Sequence, residues 1–255
     1  MATEIKRAGK EAIRRLKLSW SFLTIFPVNT GEYKEGDLSR ASFFFPVVGT
    51  VIGAANALLF YLLYFLTRDS LLSAFGVTFL GIFLTRGLHL DGVADSFDAL
   101  FSGEPQERKQ EILKDSHHGT FGVVGILLLT GAKIFLLQGM ESNPLLFLFL
   151  APLGGRVGAL EWGAFFHPFP RSKRGLGEEF IGRVPPFYFF FWLAVIEVVS
   201  LMLGGTMTLL KIALVFAIIY PLGRKLSEVF GGLNGDLVGL GIEAIEILIL
   251  IGGRF

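Results

Sequence analysis

The chain has 255 residues, 52% of them hydrophobic and only 18% charged, with a positive mean hydropathy. Such a composition is too apolar for an ordinary soluble domain and predicts an all-α, polytopic integral membrane protein. A net charge of +1 without interleaved basic and aromatic residues argues against nucleic-acid binding, and the lack of cysteine removes disulfides, thiolate metal sites and cysteine nucleophiles.

Residues 1 to 18 carry Lys6, Arg7, Lys10, Arg14, Arg15 and Lys17, with Ile13, Leu16 and Trp20 recurring at helical spacing. No long apolar core or small-residue cleavage site follows, so the segment reads as an interfacial amphipathic helix on an anionic leaflet, not a signal peptide. It belongs to a cytoplasmic or interfacial N-terminal region, residues 1 to 42. Beyond it, seven apolar stretches approach the ~20 residues that a spanning helix needs: about 43 to 66, 70 to 88, 121 to 139, 144 to 166, 187 to 205, 208 to 222 and 238 to 252. A single membrane-embedded domain over residues 1 to 255, with about seven transmembrane helices, is therefore predicted. Of the 23 Lys and Arg residues, 18 lie in segments 1 to 42, 86 to 120, 167 to 186 and 223 to 237. The excess of basic residues places those segments in the cytoplasm. The expected protein is a multi-pass component of the cell membrane with its chemistry on the cytoplasmic side.

The connection 86 to 120 carries the chemistry. On a helix, Asp91, Asp95 and Asp98 fall within about 60° of one another, forming one carboxylate stripe beside small Gly92, Ala94 and Ala99. Three anions in a row near lipid are best reconciled with a cation, and hard oxygens without cysteine favour Mg²⁺. Glu104, Glu107 and Glu111, interleaved with Arg108, Lys109 and Lys114, read instead as an ion-paired surface helix. Asp115 is a further candidate ligand, and His117 and His118 candidates for phosphate contact or proton transfer; no spaced zinc signature is present.

A second polar cluster, Gly231-Gly232-Leu233-Asn234-Gly235-Asp236, is predicted on the same side, and its glycines permit a turn that offers backbone amides to phosphate. Glu243 and Glu246 follow inside an apolar stretch, where a charge is costly unless it faces a polar interior. Glu197 carries the same cost without the same neighbours. Arg40, Arg156 and the turn from Arg171 through Gly175 to Gly177 add basic and flexible groups suited to phosphate.

These residues resemble the cobalamin 5′-phosphate synthase family, the adenosylcobinamide-GDP ribazoletransferases. The resemblance rests on Phe22 to Val28, Arg40, Phe44 to Gly49, Gly87-Leu88-His89-Leu90-Asp91-Gly92-Val93-Ala94-Asp95, Asp98 to Gly103, Lys114 to Ser116, Gly119 to Gly122, Gly175 to Gly177, and Gly235-Asp236 with Glu243 and Glu246. The chain departs from the family pattern at His117, at Ile25 and Phe26, and at Asn234. The resemblance implies transfer of α-ribazole, or its 5′-phosphate, onto adenosylcobinamide-GDP with release of GMP and with Mg²⁺ as cofactor. In that scheme Asp91, Asp95, Asp98 and Asp236 hold the metal, and Asp115 or His89 takes the hydroxyl proton. Arg40, Arg156, Arg171, Gly175, Gly177, His117, Asn234, Asp236 and Glu243 surround the substrates. Partners would be these two substrates and the lipid bilayer; a homo-oligomer is left open. CDP-alcohol phosphotransferases and prenyltransferases use related aspartate motifs, and a cation or proton transporter would use the intramembrane glutamates differently.

Overall fold

The computed structural model describes residues 2–115, 117, 119–140, 143–169 and 175–255. Among them the chain is helical, apart from one isolated backbone bridge between Pro168 and Leu233. Helix α1 (Ala2–Leu23) leads through a loop to the short α2 (Asp37–Ala41) and a 3₁₀ turn, Ser42–Phe44. The apolar elements are α3 (Phe45–Thr67) and α4 (Ser70–Leu84). The acidic connection forms α5 (Leu88–Phe101) and α6 (Gln106–Ile112), followed by α7 (Thr120–Gln138) and α8 (Pro144–Phe165). The short α9 (Leu176–Glu179), the long α10 (Pro186–Phe230) and α11 (Gly235–Arg254) complete the chain.

Among the described residues, four helices are long and apolar enough to cross a membrane, and a fifth crossing results if bent α4 and α5 form one span. Counted this way the crossings fall short of the expected seven, and two local features bear on the count. The stretch 70 to 88 does not continue straight: Arg86 and Gly87 adopt positive φ, and α5 leaves α4 at 91°. The stretches 187 to 205 and 208 to 222 are joined in α10, which is interrupted at Gly205, where φ is 74° and ψ −175°. The rings of Phe189 and Phe216 are 6.1 Å apart, although a straight helix would separate them by about 40 Å. The two arms of α10 therefore fold back on each other. Gly205 tolerates this because a left-handed φ costs it no Cβ clash.

At the centre lies α8, nearly enclosed, with α3, α10 and α11 packed around it. Gly49 and Gly53 let α3 touch the α8 backbone. A Cβ at Gly49 would lie 3.1 Å from Leu153 Cα, and one at Gly53 would lie 3.0 Å from Phe149 Cα. Small residues four apart serve this purpose in membrane helix pairs, where dispersion contacts replace the hydrophobic drive. Gly131, on α7, has no atom within 4 Å of the Cβ position.

Contacts on α1 anchor the N-terminal region. Arg14 reaches both carboxylate oxygens of Asp37 at 2.9 Å, and Ser19 donates to the carbonyl of Ala41 at 2.6 Å. Asp37 and Glu11, hydrogen-bonded to Arg14, push its guanidinium further above its ordinary range. Glu179 of α9 accepts from Tyr33 and from the backbone N–H of Gly36, which ties the α1–α2 loop to the segment before α10.

Gly49→Val is expected to lower stability in detergent by about 1–3 kcal/mol through overpacking against α8, whereas Gly131→Ala leaves it unchanged. Thermal unfolding of the two variants side by side checks this; equal midpoints would refute the α3–α8 contact as a packing constraint.

Candidate active site

The acidic stripe forms on a helix, as its spacing predicts, but α5 is an integral part of the bundle, packed between α7 and α11. Its inner face consists of His89, Gly92, Val93, Ala94, Ser96 and Ala99, all buried. Where α5 meets α11, glycines replace side chains. A Cβ at Gly92 would lie 2.6 Å from the carbonyl oxygen of Asp236, and one at Gly239 would lie 3.4 Å from the backbone of His89. This crossing brings together residues almost 150 positions apart in sequence.

Asn234 caps α11: its side-chain oxygen accepts from the N–H of Leu237 at 3.0 Å, and its amide donates to Asp236 at 2.5 Å. The turn before it is pinned by the bridge to the chain leaving α8, with Phe169 donating to Leu233 at 3.1 Å and Leu233 to His167 at 2.9 Å. Gly177 lies against Gly235, close enough that a Cβ on the former would be 3.0 Å from the latter's Cα.

A cavity of about 270 Å³ opens at this junction. Asp91, from the first turn of α5, and Asp236, from the first turn of α11, both line it, together with His89. The end of α1, the start of α3, a face of α8 and Phe180 close the other walls.

Behind His89 lies a buried group of charges. Lys133 of α7 is 2.5 Å from Glu243 and 2.7 Å from Glu246, and Arg156 of α8 is 2.5 Å from Glu246. Two cations thus face two carboxylates, which is the arrangement that makes internal charge tolerable. A small polar cavity of about 50 Å³, also lined by Asn56, Thr78 and Thr130, adjoins them and is large enough for water. His89 lines both cavities. Its Nδ1 is 3.4 Å from Arg156 Nη2 and 3.8 Å from Glu243. Because arginine can only donate, this approach makes Nδ1 an acceptor and leaves the proton on Nε2, an atom with no hydrogen-bond partner among the described residues. His89 is thereby suited to donate a hydrogen bond rather than to accept a proton.

The remaining candidates divide by location. Asp95 is half-buried one turn beyond Asp91 and does not line the larger cavity. Asp98 accepts from the N–H groups of Gly119 and Gly122 at 2.6 and 2.8 Å, so its carboxylate caps the start of α7. No group of three His, Cys, Asp or Glu side chains placed to hold a metal occurs among the described residues. Asp115 is exposed and hydrogen-bonded to His117 at 2.9 Å, a contact that holds its carboxyl below the usual range. Arg40 is half-exposed on α2 and pairs with Asp37 at 3.2 Å. Arg156 and Glu243 are committed to the buried charge group, and Glu246 with them. Gly175 is exposed at the start of α9. Arg171 lies outside the described residues. Lys133 was not among the sequence candidates, although a lone lysine in an apolar stretch carries the same signal as Glu243. The apolar cavity walls leave no comparable mark in the sequence.

The fold and site define a helical membrane protein with a carboxylate-lined cavity where α5 and α11 meet α1, α3 and α8. Its sequence matches the family model described as cobalamin-5-phosphate synthase over residues 15–253, and the chain belongs to that family. Curated relatives include an adenosylcobinamide-GDP ribazoletransferase of Caldanaerobacter subterraneus subsp. tengcongensis, 31% identical over 94% of this chain and 98% of its own length. Another, of the same description, from Shigella boydii serotype 4, is 31% identical over 92% and 98%. No solved structure matches the chain.

Lys133→Met leaves Arg156 alone to face two carboxylates inside the bundle, with Glu243 stripped of its close cation, and is expected to cost about 3–5 kcal/mol. Unfolding in detergent measures this; a wild-type midpoint would show that the charge group is not structurally required.

Proposed function

We propose that the chain is an adenosylcobinamide-GDP ribazoletransferase acting in cobalamin biosynthesis, with Asp91 and Asp236 at its reaction centre. The family and both relatives support the activity, and the observation that carries the placement is the convergence of these two carboxylates on one cavity. Related aspartate-motif transferases and a transporter lose ground to the match over nearly the whole chain.

The reaction joins a ribose hydroxyl of α-ribazole, or of its 5′-phosphate, to the cobinamide-side phosphorus of adenosylcobinamide-GDP. A new O–P bond forms as the bond to GMP breaks, GMP departs with the electron pair, and the hydroxyl proton passes to a carboxylate. Asp91 suits that last role, being exposed at the cavity, whereas Asp115 is held by His117 away from it. His89 borders the same cavity but is buried, with its proton on Nε2, which suits it to a positioning role behind Asp91. Asn234 fixes the start of α11, and a helix N-terminus favours anionic oxygen.

Mg²⁺ suits this donor set. It commonly takes only one or two protein carboxylates and fills its remaining positions with water and substrate phosphate, so a cage of three ligands is not needed. Asp91 and Asp236 would hold it, with Asp95 one turn away, while Asp98 is occupied by backbone amides. When bound, it neutralises pyrophosphate charge and stabilises the departing GMP. The excess of basic residues in segments 1 to 42, 86 to 120, 167 to 186 and 223 to 237 supports a cytoplasmic orientation of this end, in the cell membrane.

Purified protein in detergent, given adenosylcobinamide-GDP, α-ribazole and Mg²⁺, is expected to yield the joined corrinoid and GMP, and a chelator to stop it until Mg²⁺ is restored. Asp91→Asn and Asp236→Asn, with unchanged unfolding midpoints, are expected to lower kcat/KM by ~10²–10⁴-fold, the range for losing a positioned acid–base or electrostatic group. Normal GMP release from both folded variants would sink the assignment.

A further inference from the structure

The cavity that receives Asp91 and Asp236 is otherwise hydrocarbon. Phe22, Phe45 and Phe180 form a continuous aromatic wall, with centroids of Phe22 and Phe45 5.8 Å apart and those of Phe45 and Phe180 also 5.8 Å apart. Ala159, Val238 and Ile242 face the same space, and Phe45, Phe180 and Ala159 are each 2% exposed. Among the described residues, the polar side chains in the lining are His89, Asp91 and Asp236, and no described serine, threonine, asparagine, glutamine, lysine or arginine lines it.

Two properties of this space restrict its occupant. Its volume of about 270 Å³ is just below the ~300–1,000 Å³ usual for small-molecule sites, so it admits one small ring system with its sugar and excludes a corrin macrocycle. Apart from the two carboxylates and His89, its described walls offer no side-chain partner to the exocyclic amino and carbonyl groups of a purine. Burying those groups without partners is costly, and a site without matching groups discriminates strongly against them. Of the ring systems in the two substrates, guanine carries a polar edge throughout, whereas the dimethylbenzimidazole of ribazole presents a benzo ring edged with methyl groups.

We propose that this cavity seats the base of the nucleoside substrate. The flat apolar bicycle lies against the half-buried Phe22 side of this aromatic wall, which Phe45 and Phe180 back, and the ribose is directed toward Asp91 and Asp236. The hydrocarbon wall then selects a benzimidazole over a purine, and the guanine of the GDP-activated corrinoid binds elsewhere. The inference rests on the ribazoletransferase reading and adds which substrate, and which part of it, the cavity holds. Phe22, Phe45, Phe180, Ala159, Val238 and Ile242 become specificity residues for the base.

Ala159→Leu fills the cavity from α8 without altering a carboxylate. The KM for α-ribazole is expected to rise tenfold or more, while the KM for adenosylcobinamide-GDP stays within twofold. A rise confined to the corrinoid substrate, or no change in a folded variant, overturns the proposal. On the unaltered protein, free 5,6-dimethylbenzimidazole is expected to compete with α-ribazole but not with adenosylcobinamide-GDP, and guanine at equal concentration not to compete with α-ribazole. Equal inhibition by guanine overturns the proposal, and this comparison holds whether or not the variant folds. Should the wild type form no joined corrinoid, the transferase reading fails by itself. Equilibrium dialysis of labelled α-ribazole against wild type and Ala159→Leu then decides the cavity separately: retention by the first and a tenfold loss in the second supports the seat, and equal retention or none by either refutes it.

Discussion

Everything at the reacting end depends on how closely α5 can approach α11. At Gly92 and Gly239 the helices meet backbone to backbone, with the carbonyl of Asp236 where a side chain of residue 92 would otherwise stand. In lipid there is little hydrophobic drive between helices, so contact area and dispersion must hold such a crossing, and glycine maximises both by allowing the axes to close. A larger residue at 92 would separate the first turn of α5 from that of α11, and with it Asp91 from Asp236. The placement of Asp91 and Asp236 on one cavity therefore rests on what Gly92 lacks.

The buried charges reinforce the same junction from behind. Lys133, Arg156, Glu243 and Glu246 link α7, α8 and α11, and His89 brings α5 into the group. Such pairs stabilise little in total, because desolvation offsets attraction, yet removing one partner is expensive. Their effect is to specify position: α11 cannot rotate without leaving a charge unpaired, and a rotation would carry Asp236 out of the cavity. The tautomer imposed on His89 extends this specification to the site, since its Nε2 is left as the donor.

A division of labour among the acidic residues follows. Asp91 and Asp236 line the cavity, Asp98 uses its charge on the N–H groups of α7, Asp115 pairs with His117, and Glu243 and Glu246 balance internal cations. Carboxylates that look equivalent along the chain differ once each one's nearest donor is known. In the proposed seat the apolar walls would act beside the charges, because a hydrocarbon lining disfavours polar ring edges.

The helical membrane class and the placing of Asp91, Asp95 and Asp98 on one helix were legible in the residues themselves. Hydrophobic runs and the 3.6-residue period are local properties that survive in one dimension, and the family motif supplied the activity. The sequence did not determine how many runs cross the membrane, because a bend at Arg86 and Gly87 and a reversal at Gly205 turn on single φ values. Nor did it separate Asp98 from its neighbours, reserve Arg156 for Glu246 instead of phosphate, or assemble Phe22, Phe45 and Phe180 into one wall. Those outcomes depend on which groups lie within a few ångströms across different helices, and only the packing of the bundle sets such distances.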